Sequence, residues 1–185
     1  MPASISLIRH AEKQLGDGPP CGVLADGRPD PESLTPRGWQ RAGALVGLFT
    51  PRADRHDAAI LSTPAHLFAS EVGPHSHSQR PLETLLPLSE RLGLPLDEPF
   101  LRDDLDKLVE AIRACNGDVL VAWDHTRLPL IATRLVGDGS SVPQIWPADR
   151  FDLVWVFEPG STGGSRRLRQ VPQLLLAGDR AEPIA

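Results

Sequence analysis

The sequence predicts an α/β protein, a three-layer sandwich whose mainly parallel central sheet carries helices on both faces. Three observations predict it. Short apolar runs alternate with stretches of helical periodicity along the chain, and repeated βα units of that kind build a single, largely parallel sheet. The run Val119-Leu120-Val121-Ala122-Trp123 is apolar at every position, as expected of a central strand covered on both sides. Two apolar runs also stop on chemistry-bearing side chains, one on Arg9-His10 and the other on Asp124-His125. Ligands in open α/β sheets bind outside the carboxyl ends of the strands, so both runs deliver functional groups to the usual position of a site.

The bulk properties agree with one ordinary globular domain. The chain has 185 residues, 41% of them apolar and 23% charged, which suits a single domain over 1–185 with a loose tail at 179–185. A formal net charge of -5 argues against a broad nucleic-acid surface but leaves room for a local basic pocket. No apolar run reaches the roughly 18 residues of a membrane span, so no membrane partner is expected. Cys21 and Cys115 lie outside any CxxC spacing and read as free thiols of a reducing compartment. A cytoplasmic protein is expected.

The elements follow in order. Ile5, Leu7 and Ile8 mark the first strand, and residues 14–34, with Gly16, Gly18, Pro19, Pro20, Pro29 and Pro31, read as loop. Thr35-Pro36 is a helix start. Trp39, Ala42, Val46 and Phe49 then form one face, which leaves Gln40 and Arg41 for solvent. Residues 58–62 read as a second buried strand. The stretch that follows, with His66, His75 and His77, reads as a polar loop. Two imidazoles in His75-Ser76-His77 lack the third ligand that a metal needs, and no metal is expected. Ser78 can cap a helix carrying Leu82, Leu85 and Leu86, which Pro87 should kink or restart and Gly93 should end. Residues 94–102 are loop. Asp103 or Asp104 can cap a helix with Leu105, Leu108, Val109 and Ile112 on one face. Thr126 can cap the next, with Leu128, Ile131, Ala132 and Leu135. Residues 151–157 and 168–171 read as two further strands. The last is an edge whose Arg166, Arg167 and Arg169 deter pairing.

Arg80 falls in the first turn of its helix, where free amides and the positive end of the dipole favour an anion and a guanidinium adds a fork suited to phosphate. In a mainly parallel sheet Arg9, His10, Arg80 and His125 can converge. Together they would make a pocket for a dianion with an imidazole at hand.

Four segments, in order, carry a resemblance. Arg9-His10-Ala11-Glu12-Lys13 is similar to the RHG/RHA signature of the histidine phosphatase superfamily, the phosphoglycerate-mutase-like enzymes. Leu34-Thr35-Pro36-Arg37-Gly38-Trp39-Gln40-Arg41-Ala42 resembles its LTxxGxxQA helix start. Ser78-Gln79-Arg80-Pro81-Leu82-Glu83-Thr84 resembles its S-x-R-x-x-x-T helix start, and residues 119–125 resemble the strand that brings its second histidine. The resemblance implies a phosphoglycerate-mutase-like fold and a metal-independent, cofactor-free phosphatase. His10 would form a phosphohistidine, with Arg9, Arg80 and His125 catalytic and, with Lys13, holding the phosphoryl oxygens. The substrate would be a phosphorylated small molecule or a phosphohistidine protein. A catalytically weak phosphate-binding module and a phosphomutase are the alternatives.

The departures from that pattern matter as well. Lys13 and Gly16 stand where many relatives have Ser or Thr and Asn, and Thr126 stands where Gly usually follows the second histidine. The general acid is open. Asp103, Asp104 and Glu12 are candidates, whereas strand alternation is expected to turn Asp124 to the opposite face from His125.

Overall fold

The computed structural model describes residues 2–50, 61–74, 76–97, 100–137, 141–160 and 166–185. Among these, six strands form one sheet: β1 (Ile5–Arg9), β2 (His66–Glu71), β3 (Phe100–Leu101), β4 (Val119–Trp123), β5 (Leu153–Pro159) and β6 (Arg166–Pro172). Their order is β3-β2-β4-β1-β5-β6. The block from β3 to β1 is parallel, and β5 and β6 are added antiparallel. Four helices accompany them: α1 (Pro36–Phe49), α2 (Arg80–Leu92), α3 (Leu105–Ala114) and α4 (Leu128–Val136).

Strand alternation sorts the core into two layers. Ile5, Leu7, Val119, Val121, Trp123, Leu153 and Trp155 pack with Leu108 and Ile112 of α3 and Leu128 and Ile131 of α4. Ile8, Leu120, Ala122, Val154 and Val156 face the other way, onto Leu45 and Phe49 of α1 and Leu85 and Leu88 of α2. Helices therefore cover both faces, in agreement with the expected sandwich. No helix among the described residues is long and apolar enough to cross a membrane.

Two local devices fix the entry to α1. The Thr35 hydroxyl caps the helix by accepting from the Gly38 amide at 3.2 Å, and the same hydroxyl donates to the Glu12 carbonyl at 3.1 Å. A Cβ at Gly38 would lie 2.4 Å from that carbonyl oxygen, so only glycine lets α1 approach the chain leaving β1 this closely.

Several expectations need correction. The strand expected at 58–62 is not where the second strand lies: residues 58–60 are outside the described residues, Leu61 and Ser62 are not in a strand, and β2 is His66–Glu71. Its Leu67, Phe68, Ala69 and Ser70 are buried, so the supposed polar loop supplies the central sheet, and only His66 and Glu71 at its ends are polar enough to mislead. The short β3 lies inside residues read as loop. Pro87 does not stop α2, which runs on to Leu92; Leu85 and Leu88 on either side of it are fully buried, and that packing outweighs one lost backbone bond. Neither Ser78 nor Thr126 caps a helix, because the caps of α2 and α4 are Gln79 and Arg127. The tail beyond Gly178 is pinned. Asp179 pairs with Arg41 at 2.7 Å, the Arg180 amide donates to Asp152 at 2.7 Å, and Ile184 is buried in the core.

Candidate active site

β1 and β4 are adjacent, parallel and in register, with Arg9 beside Trp123. Both side chains belong to the α3/α4 side of the sheet, so the next residues, His10 and Asp124, turn together toward the α1/α2 side. The His10 amide donates to the Trp123 carbonyl at 3.0 Å and continues the ladder by one step. Thr84 on α2 then locks the exit, accepting from the Ala11 amide at 2.8 Å and donating to the Arg80 carbonyl at 2.6 Å.

His10 is only 3% exposed. Its Nδ1 lies 2.8 Å from the Ala11 carbonyl oxygen. A carbonyl only accepts, so Nδ1 carries the hydrogen and Nε2 keeps the lone pair. Burial, and then the charges of Arg9 and Arg80, push the imidazole down to about 3 against the pull of the Ala11 bond and Asp124. It is a neutral base at neutral pH.

Arg9 is 1% exposed. Its Nη1 donates to the Ala148 carbonyl and, at 3.4 Å, to the Arg150 carbonyl, and its guanidinium carbon sits 3.8 Å from the centre of the Phe151 ring. Nε and Nη2 are buried with no hydrogen-bond partner among the described residues. Burial lowers its pKa to about 10, with Asp124, Asp149 and Glu12 opposing, so it remains charged. A buried guanidinium with open donors is costly unless an anion completes it.

Arg80 opens α2, and the 14–34 loop aims it. Nε donates to the Ser33 carbonyl at 3.2 Å, Nη1 to the Ser78 hydroxyl at 3.1 Å, and Nη2 to the Pro31 carbonyl. Three of its five hydrogens are thereby used and one remains on each terminal nitrogen. Lys13 completes the cationic rim, its pKa lowered by burial and by Arg80 and Arg9. His10, Lys13, Arg80, Arg102, His77, Ser70, Ser76 and Ser78 line one cavity of about 280 Å³ together with the carboxylates Glu32 and Asp124.

The second strand end departs from expectation. Asp124, not His125, lines the cavity. Alternation places it there because Trp123 points into the core, so the first residue past the strand faces the same way as His10. Its Oδ1 accepts from the Thr126 amide at 2.9 Å, the Thr126 hydroxyl at 2.5 Å and Arg102 Nη2 at 3.4 Å. Burial works against the charge, but the neighbouring His125 ring and the two Thr126 groups outweigh it and hold the carboxyl well below the usual range. His125 sits behind, with Nδ1 buried, without a hydrogen-bond partner among the described residues and 3.7 Å from Asp124 Oδ2.

The three acid candidates are engaged elsewhere. Glu12 is paired with Arg41 at 2.8 Å and Arg37 at 3.3 Å. Asp103 binds Arg127 at 2.5 Å and Asp104 binds Lys107 at 3.1 Å, and both line a neighbouring cavity of about 230 Å³. His75 lies outside the described residues, and the described residues hold no cluster of metal-ligating type. Sequence reasoning missed Asp124 and Arg102. The signal for Arg102 was absent, because it is placed by its own carbonyl accepting from the buried Trp123 indole at 3.0 Å.

No protein-family model matches the sequence, and no curated protein matches it. Solved structures do match. A candidate alpha-ribazole-5'-P phosphatase from Escherichia coli superposes with a TM-score of 0.59 at 15% identity, over 93% of this chain and 97% of that one. A mycobacterial glucosyl-3-phosphoglycerate phosphatase gives 0.54 at 13%, over 92% and 97%. A candidate phosphohistidine phosphatase, SixA from Agrobacterium tumefaciens, gives 0.51 at 16%, over 91% and 97%. These neighbours are members of the histidine phosphatase superfamily. This chain has the histidine phosphatase fold. Within that fold, His10, Lys13, Arg80 and Asp124 line one cavity, and neither Arg9 nor His125 is among its lining residues.

Proposed function

We propose that the protein is a phosphatase that hydrolyses a phosphomonoester, or a phosphohistidine on another protein, through a covalent phosphohistidine on His10. One observation carries this reading: the open Nε and Nη2 of buried Arg9 lie beside a histidine whose tautomer is set for attack by the Ala11 carbonyl. His10 Nε2 attacks phosphorus and the bond to the leaving oxygen breaks. The imidazolium that forms keeps its Nδ1 hydrogen on Ala11. Arg9, the two spare hydrogens of Arg80, and Lys13 take the phosphoryl oxygens. Water then attacks phosphorus, phosphate leaves, and His10 returns neutral. Splitting the transfer into two easier steps is ordinary nucleophilic catalysis, and phosphoryl transfer depends mainly on positioning and charge. The reading places the enzyme in the cytoplasm, in keeping with its unpaired Cys21 and Cys115.

The test is turnover of an aryl phosphate, with trapping of acid-labile label on the protein. Turnover and label are expected in the parent chain, and neither in His10→Ala. Label that survives His10→Ala overturns the assignment. A second reading, a phosphate-binding module with little turnover, is favoured by the engagement of Glu12, Asp103 and Asp104 in ion pairs. It predicts that phosphate raises the melting temperature while no aryl phosphate is hydrolysed.

A further inference from the structure

Asp124 puts a carboxylate where an anion-binding pocket would be expected to carry one more donor. It lines the cavity with His10, Lys13, Arg80 and Arg102, and its two oxygens are used unequally. Oδ1 takes all three of its described hydrogen bonds, from the Thr126 amide and hydroxyl and from Arg102. Oδ2 has only the His125 ring alongside it among the described residues, with Nδ1 at 3.7 Å, longer than a full hydrogen bond. Asp124 thus keeps acceptor capacity in a cavity that Lys13, Arg80 and Arg102 line with donors and Glu32 with a second carboxylate.

A fully ionised oxyanion offers such an oxygen only lone pairs, and the contact is repulsive. A phosphoryl group that keeps one P–O–H offers a donor. Resting on the reading of this cavity as a phosphoryl site, we propose that Asp124 is its specificity residue: it accepts a hydrogen bond from a protonated phosphoryl oxygen, so the site takes a phosphoryl group bearing one proton and rejects oxyanions that have none. Sites built around a specific hydrogen bond discriminate strongly because the wrong ligand leaves a buried group unpaired.

The same proton answers the question of the acid. Glu12, Asp103 and Asp104 are ion-paired, and Glu32 stands 3.6 Å from Arg80 at the rim. A monoester monoanion brings its own proton. As His10 Nε2 bonds to phosphorus and the ester bond breaks, the phosphoryl hydrogen passes to the leaving oxygen. The products are a neutral alcohol and an N-phosphoryl dianion on an imidazolium, and the net charge is unchanged. Asp124 holds that hydrogen on the phosphoryl group until transfer. The groups facing it from each side are Arg9 and His10 at the end of β1, Lys13 beyond it, and Arg80 at the start of α2. Arg102 follows β3, His125 and Thr126 precede α4, and Glu32 and His77 line the same cavity.

The test compares inorganic phosphate, which keeps a P–O–H at neutral pH, with sulfate, which has no hydrogen to give. Calorimetric titration of the whole chain at pH 7 should show phosphate binding at least about tenfold tighter than sulfate. Asp124→Asn should remove most of that preference, and Asp106→Asn, at an exposed carboxylate paired with Arg134 on the helical surface, should keep it. A parent chain that binds sulfate as well as phosphate, or an Asp124→Asn variant with the preference intact, overturns the proposal. The second measurement needs no variant. With an aryl phosphate, kcat/KM should fall about tenfold per pH unit above the second ionisation of the substrate, near 6. That limb should move when a substrate of different second ionisation is used. A flat profile, or a limb fixed regardless of substrate, also overturns it. Failure of the wider phosphatase reading looks different: neither anion binds, and no acid-labile label forms at any pH.

Discussion

Two arginines, Arg9 and Arg41, are buried almost to the same degree, at 1% and 2% exposure, yet their surroundings are opposite. Arg41 is saturated. Its nitrogens bond both oxygens of Glu12, both oxygens of Asp179 and the amide oxygen of Gln173. Burial opposes its charge, but the bonds to Asp179 and Glu12 outweigh that and raise its pKa above the usual value. Among the described residues Arg9 has carbonyl partners on one nitrogen only and open donors on the other two; burial dominates and its pKa falls to about 10. A buried cation with carboxylates on every side holds the chain together, here joining the exit of β1, α1 and the C-terminal segment. A buried cation kept short of partners is the feature on which the proposed phosphoryl site rests.

Substitutions at the two positions should therefore separate stability from activity. Arg41→Met strands Glu12 and Asp179 without a counter-charge in a dry setting, and chemical denaturation should show a loss of about 3–5 kcal/mol, with activity per folded molecule largely kept. Arg9→Met should do the reverse. Its turnover of an aryl phosphate should fall by about two to three orders of magnitude, equivalent to about 3–4 kcal/mol of barrier, while the thermal midpoint is unchanged or raised. If both variants lose stability equally and neither loses specific activity, the contrast fails.

Smaller effects sharpen it. Inorganic phosphate at about one hundred times its dissociation constant should stabilise the parent chain by about 2.7 kcal/mol, and thermal melts should show that gain vanish in Arg9→Met but persist in Arg41→Met. Next comes a pH effect from His10, whose folded pKa of about 3 lies below its ordinary 6.5. Between those values the unfolded chain binds a proton that the folded chain does not. Stability is therefore lost as pH falls through this window, by about 1.4 kcal/mol per unit. Denaturation midpoints measured from pH 6.5 downward should fall less steeply in His10→Gln. The smallest effect is expected at Arg37, an exposed partner 3.3 Å from Glu12. Arg37→Ala should cost about 1 kcal/mol or less in a denaturant titration.

Arg41 also marks a limit of sequence reading. Helical spacing assigned it to solvent, because Trp39, Ala42, Val46 and Phe49 define the apolar stripe. Nothing local announces that Asp179, far along the chain, returns to meet it at 2.7 Å. The same holds for β2, whose His66 and Glu71 ends hide a strand that only its pairing with β4 makes obvious, and for the 14–34 loop, whose Ser33 and Pro31 carbonyls aim Arg80. By contrast β1, β4, α1 and α3 were legible because each carries its own signal: a continuous apolar run, a capped start, or a single apolar face.

What the residues determined by themselves was the architecture and the arrival of Arg9, His10 and Arg80 at one end of a sheet, since hydrophobic period and turn chemistry act over neighbouring residues. Which of Asp124 and His125 lines the cavity was decided only in three dimensions. β4 is one residue away from either outcome, and its register with β1, together with the burial of Trp123, settles it. The partners that leave Arg9 open and close Arg41 likewise come from distant chain, brought in by packing that no local pattern encodes.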